Sequence, residues 1–199
     1  IQCLKNIYKL PRSPPTGGDG SKTHTMIVLY IILGLIALFL LAGLVIPKEI
    51  KTTREIVINK PVGDVFNYIK YLKNQLNYSK WASLDPAIKN EFRGTDGTPG
   101  FVNSWVGNKK VGTGEQEITG IVEGKSISTE LRFIKPFKSF AKAVMTTGTA
   151  GENATKVTWG FESKMNYPMN VMKLFMNMEK AIGNDFSTGL QNLKTILEK

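Results

Sequence analysis

The sequence predicts an α+β domain in which a curled antiparallel sheet of about seven strands wraps a long C-terminal helix, behind one membrane-spanning helix. Three observations predict it. An uncharged apolar run fills residues 26–46. From residue 88 onward, strand-like runs separated by turn residues recur at spacings of roughly 8–14 residues. Residues 168–197 carry one continuous apolar stripe at helical spacing.

Residues 1–25 show no usable hydrophobic period and contain Pro11, Pro14, Pro15 and a Gly17-Gly18-Asp19-Gly20 run, which reads as a disordered or non-native extension. Met26 stands immediately before the apolar run and is the expected start of the natural chain. Residues 26–46 number 21 without a charge, enough at about 1.5 Å per residue to span a hydrocarbon core of roughly 30 Å. A cleaved signal peptide would have a shorter apolar region and a small-x-small cleavage site, whereas Val45-Ile46-Pro47 follows here. Lys48, Lys51, Arg54 and Lys60 come next. With a start at Met26, the positive-inside rule makes this a single-pass membrane protein with its domain in the cytoplasm. Lys5, Lys9, Arg12 and Lys22 oppose that orientation if residues 1–25 are native.

The domain, residues 47–199, opens with alternating residues 53–59, a strand with Ile56 and Ile58 on one face. Pro61 then starts a short helix over 62–69, with Val62, Val65, Phe66 and Ile69 at helical spacing. A second short helix spans 71–78. Strands follow over 88–93, 101–106, 114–122, 126–134, 139–147 and 156–164. Their turns carry Gly94 and Gly97, Gly107-Asn108, Glu123-Gly124, Lys135-Pro136 and Gly151-Glu152-Asn153. In the last helix Val171, Leu174, Phe175, Met178, Ile182, Phe186, Leu190, Leu193 and Leu197 form the stripe. Its place is the concave face of the sheet, with Gly183 and Gly189 allowing close approach.

Composition narrows the chemistry. The only cysteine is Cys3 and the only histidine is His24, both ahead of the domain. The domain therefore holds no Cys nucleophile, no Ser-His pair and no His or Cys ligands for zinc, so no metal or cofactor is expected. It carries 22 basic against 15 acidic residues, but these are scattered and accompany no nucleic-acid reader motif. No nucleic acid partner is expected, and the domain reads as a monomer. Glu115 and Glu117 share one strand face, and Glu130 and Glu162 face away from the apolar rows beside Arg132 and Lys164. No catalytic acid pair emerges.

Several stretches resemble the polyketide cyclase/dehydrase and lipid-transport family of the START/pollen-allergen-like (SRPBCC) superfamily. They are INKPVGDVF at 58–66, SWVGNKKVGTG at 104–114, FIKPF at 133–137, TKVTW at 155–159, and FMNM at 175–178 leading to GLQNLK at 189–194. The resemblance covers about residues 50–199. It implies a helix-grip fold with a cavity, and members that bind or process hydrophobic ligands. On strand alternation Phe101, Asn103 and Trp105 share a face, as do Thr129, Leu131 and Phe133. With Trp81 and Trp159 these are the expected cavity wall. Met169, Met172 and Met176 form a flexible second row beside Phe175, either a helix flank under a loop or a ligand portal. The expected function is a membrane-anchored binding or transfer domain for a hydrophobic small molecule or lipid. The alternatives are a small-molecule cyclase or dehydratase, and an interaction module with a solid core.

Overall fold

A computed structural model describes residues 20–199, with side chains from His24 onward, and divides into two units at residue 43. The described part of the first unit is helical. It comprises most of helix α1 (Gly20–Val45), of which His24–Val45 is long and apolar enough to cross a membrane. The helix starts six residues earlier than expected, so Gly20 to Thr25 belong to it rather than to a disordered extension. The rest of that expected extension lies outside the described residues.

The second unit is a seven-stranded sheet with three helices. Its strands are β1 (Glu49–Ile58), β2 (Lys89–Arg93), β3 (Val102–Val106), β4 (Thr113–Val122), β5 (Ser126–Lys135), β6 (Ser139–Gly151) and β7 (Ala154–Lys164). Helices α2 (Val62–Ile69) and α3 (Leu72–Tyr78) lie between β1 and β2, and α4 (Met178–Leu197) ends the chain. The sheet order is β1-β7-β6-β5-β4-β3-β2, with every neighbouring pair antiparallel. Register shifts at Thr113/Gly114, Ile118/Gly120 and Thr149/Gly151 add local bend and twist to the sheet. The strands run out of meander order only at β1, which pairs with the last strand, β7. This is the helix-grip arrangement expected from the sequence.

The long helix is shorter than its apolar spacing suggests. Residues 169–174 form a 3₁₀ turn, and α4 begins only at Met178. The reason is local. Asn177 caps α4, its side-chain oxygen accepting from Lys180 N–H at 2.9 Å. Ahead of the cap, buried Asn170 donates through Nδ2 to the carbonyls of Gly43 (2.7 Å) and Ile46 (2.8 Å). Lys173 Nζ donates to the carbonyls of Pro47 (3.2 Å) and Glu49 (2.6 Å). The Asn170 bonds satisfy carbonyls left over at the end of α1, and the Lys173 bonds reach the linker and the first residue of β1. They hold residues 169–174 to the start of the domain, where they cannot extend α4. As a result Val171 is buried, whereas Leu174 and Phe175 point to solvent.

The core fills the space between the sheet, α2, α3 and the C-terminal half of α4. Ile58, Val65, Phe66, Tyr78, Ile118, Val157, Leu190 and Leu193 are essentially inaccessible there. Gly189 is what lets α4 come so close. A Cβ on it would lie 3.0 Å from the Trp159 ring and 3.3 Å from the Tyr78 carbonyl. On the opposite face of the sheet, charges run across the strands. Arg132 meets Glu115 (2.6 Å), Glu117 (2.6 Å) and Glu130 (2.9 Å), and Lys51 meets Glu49 and Glu162. Glu117 and then Glu115 hold the Arg132 guanidinium above its already high ordinary pKa.

Candidate functional site: a cavity between sheet and helix

Where α4 and the concave face of the sheet do not meet, they enclose a cavity of about 1250 Å³. It shares Leu72 and Trp159 with the core. Two aromatic groups line it. In one, Phe133 on β5 receives Trp81 and Trp105 edge-on, with centroids 6.4 and 5.9 Å away. In the other, Phe186 of α4 stacks on Trp159 at 4.2 Å and meets Phe161 edge-on at 6.1 Å. Register makes these neighbours. Trp105 faces Gly114 across β3 and β4, and Gly114 faces Phe133 across β4 and β5. A Cβ at Gly114 would come within 2.6 Å of the Trp105 indole, so the glycine is the seat of that ring.

Polar groups enter from the middle strands. Gln116 Nε2 donates to Thr129 Oγ1 (3.1 Å) and Gln75 Oε1 (3.3 Å), and Thr129 Oγ1 in turn donates to the Ala143 carbonyl (3.4 Å). Beside this completed network, Asn90 Oδ1, Asn103 Oδ1 and Trp105 Nε1 are buried without hydrogen-bond partners. Asn90, Asn103, Gln116 and Trp105 all line the cavity. These groups are neutral. They can orient a ligand, but they cannot exchange protons as acids or bases near neutral pH. The nearby Tyr78 phenol is no better suited. It is fully buried with its hydroxyl on Met145 Sδ at 3.6 Å, and burial pushes its pKa up. Among the described residues no cluster of His, Cys, Asp or Glu could hold a metal ion.

The wall also includes Lys80, Lys110, Lys135 and Lys138, none of them in an ion pair among the described residues, and Asp185 of α4.

Of the wall residues expected from the sequence, Trp81, Asn103, Trp105, Leu131, Phe133 and Trp159 lie on the cavity. Phe101 does not. It is buried on the core side and stacks on Phe92 at 6.0 Å. Thr129 borders only a small adjoining cleft, where it holds Gln116. Met172, Phe175 and Met176 are off the cavity, because the break before α4 turns this segment outward and leaves Phe175 74% exposed. Met169 does reach the wall. Alternation along β4 from buried Ile118 could have identified Gln116. Ile182 and Phe186 already stood in the helix stripe, whereas Asn90 required the register of β2 against β3 and Asp185 lies off that stripe.

The family described as "Polyketide cyclase / dehydrase and lipid transport" matches residues 49–198. No curated protein matches the sequence. Among solved structures, the truncated norcoclaurine synthase from Thalictrum flavum superposes with a TM-score of 0.59 at 8% identity, covering 77% of this chain and 96% of that one. A protein from Chromobacterium violaceum gives 0.53 at 11% identity, covering 75% and 97%. The di-domain ARO/CYC BexL of the BE-7585A biosynthetic pathway gives 0.55 at 14% identity, covering 76% of this chain and 50% of that one. At such identities these likenesses speak for the fold.

Proposed function

Because the chain belongs to the polyketide cyclase/dehydrase and lipid transport family, we propose that it is a binding or transfer domain for a hydrophobic small molecule or lipid, held beside a membrane by α1. The cavity carries this reading. Its volume of about 1250 Å³ exceeds the roughly 300–1,000 Å³ of ordinary small-molecule pockets, which leaves room for a lipid-sized apolar body. Aromatic rings supply large apolar contact area on both sides of the space. A module that worked only through its outer surface would have no use for such a void, since unfilled space in a core is destabilising. The anchor rests on the length and composition of α1, and it would place the cavity near a source of apolar ligands.

Native mass spectrometry of the full chain, purified in a mild detergent, tests the reading. The expected result is a copurified apolar molecule, or saturable binding of at least one member of a panel of fatty acids, isoprenoids and aromatic polyketides. Absence of both would overturn it. A second reading, a small-molecule cyclase or dehydratase, is favoured by the buried amides Asn103 and Gln116, which could orient a substrate. A bound aromatic polyketide released with unchanged mass and structure speaks for binding, and a chemically altered product speaks for the enzyme.

A further inference from the structure

The polar network inside the cavity is complete on one side and open on the other. On β4 and β5, Gln116 and Thr129 satisfy each other and the Ala143 carbonyl. On β2 and β3, three polar atoms are buried and unmet: the acceptors Asn90 Oδ1 and Asn103 Oδ1, and the donor Trp105 Nε1. Asn103 and Trp105 are each only 6% exposed. Their grouping follows from strand geometry. Asn103 and Trp105 are two apart on β3, and Asn90 is the direct partner of Trp105 on β2. All three therefore share the concave face, and all three line the cavity. Buried polar groups of folded proteins are otherwise hydrogen-bonded nearly without exception. Three orphans on one patch of one wall form a template for a complementary group.

The mixture of acceptors and donor selects that group. A carboxylate offers only acceptors and would leave both amide oxygens unmet. An ammonium offers only donors and leaves the indole N–H unmet. A hydroxyl does both on one atom, donating to an asparagine Oδ1 while accepting from Trp105 Nε1. Next to the patch, Trp81 and Phe133 supply the apolar surface that the remainder of such a molecule needs. We propose that the β2–β3 end of the cavity is a hydroxyl-recognition site, selecting apolar ligands that end in an alcohol or phenol. The inference rests on the cavity being a ligand site, and it adds the ligand's polar group and its orientation, hydroxyl toward Asn103 and Trp105.

The test compares 2-naphthol with naphthalene on the full chain in detergent micelles, with empty micelles as the blank. Binding is followed by titration and by the three tryptophan indole N–H signals in ¹⁵N NMR. A site built around a hydroxyl rejects the analogue that lacks it, because its own polar atoms then stay unpaired. 2-Naphthol is expected to bind at least about tenfold tighter than naphthalene. It should also move one indole N–H signal downfield, the signal that disappears in Trp105→Phe. Trp105→Phe and Asn103→Leu should each bring the two affinities close together while naphthalene still binds. If naphthalene binds and 2-naphthol binds no tighter, or if the preference survives in both variants, the hydroxyl site is overturned and the cavity reading stands. If neither compound nor any member of the wider panel binds, the cavity reading falls and takes this one with it. The affinity ratio of 2-naphthol to naphthalene is read on the wild-type protein, so that arm does not depend on either variant folding.

Discussion

Gly183 and Gly189 are both buried on α4, yet they accommodate different neighbours. A Cβ at Gly189 meets the rim of the Trp159 indole and the Tyr78 backbone. The indole is packed between Phe186 and Tyr78, and the Tyr78 backbone is rigid. The nearest neighbour of a Cβ at Gly183 is the guanidinium of Arg54, the end of a flexible side chain that hydrogen-bonds Thr52 and the Thr53 carbonyl but makes no ion pair among the described residues. Either alanine would gain up to about 1 kcal/mol of helix propensity. For Gly189→Ala, overpacking of about 1–3 kcal/mol outweighs that gain, and the protein should be less stable. Gly183→Ala should leave stability unchanged or slightly raised. Urea denaturation of the full chain in detergent measures both. The reverse ranking would mean that α4 does not approach the sheet at Trp159.

At the level of elements, the break between the 3₁₀ turn and α4 decides which apolar residues matter. Phe175 belongs to the apolar stripe by spacing, but it lies outside α4 and is exposed, so Phe175→Ala should change stability by no more than about 0.5 kcal/mol. Leu193, fully buried under the same helix, should cost about 2–5 kcal/mol as Leu193→Ala. Paired denaturation midpoints check the contrast, and equal effects would restore the unbroken helix. The stripe misled because spacing of three and four residues continues across a break when both segments happen to bury a side. Nothing in that periodicity reports where Asn177 caps, or that Asn170 and Lys173 are engaged with carbonyls more than a hundred residues upstream. The strands were easier to read. Turn residues delimit them, and alternation from Trp105 alone places Asn103 on the same face. What alternation could not supply was register, and it is register that sets Asn90 beside Trp105.

For the whole molecule, a membrane anchor makes the orientation of the domain testable. α1 is long and apolar enough to span a bilayer, and Lys48, Lys51, Arg54 and Lys60 follow it. If α1 spans a membrane, the positive-inside rule applied to these four residues predicts a cytoplasmic domain, against Lys5, Lys9, Arg12 and Lys22 on the other side of the apolar run. Protease added to intact cells that express the chain should leave the domain uncut, and detergent lysis should expose it. Cleavage in intact cells would reverse the orientation, and with it the leaflet from which a ligand could be drawn.

The pairing of the first strand with the last also governs how the domain can be made. β1 is synthesised first, yet its partner β7 lies about a hundred residues further along the chain. Its cover α4 comes later still, clasping it through Lys194 Nζ on the Val57 carbonyl (2.8 Å) and Glu198 on the Asn59 N–H (2.6 Å). At translation rates of about 5–20 residues per second, β1 waits on the order of 5–20 s with both backbone edges unpaired. An idle strand of this kind is a template for pairing with other chains, and charges along it are a common protection. Glu49, Lys51 and Glu55 give it that character, so the outward charges of β1 guard the nascent chain before they serve the finished sheet.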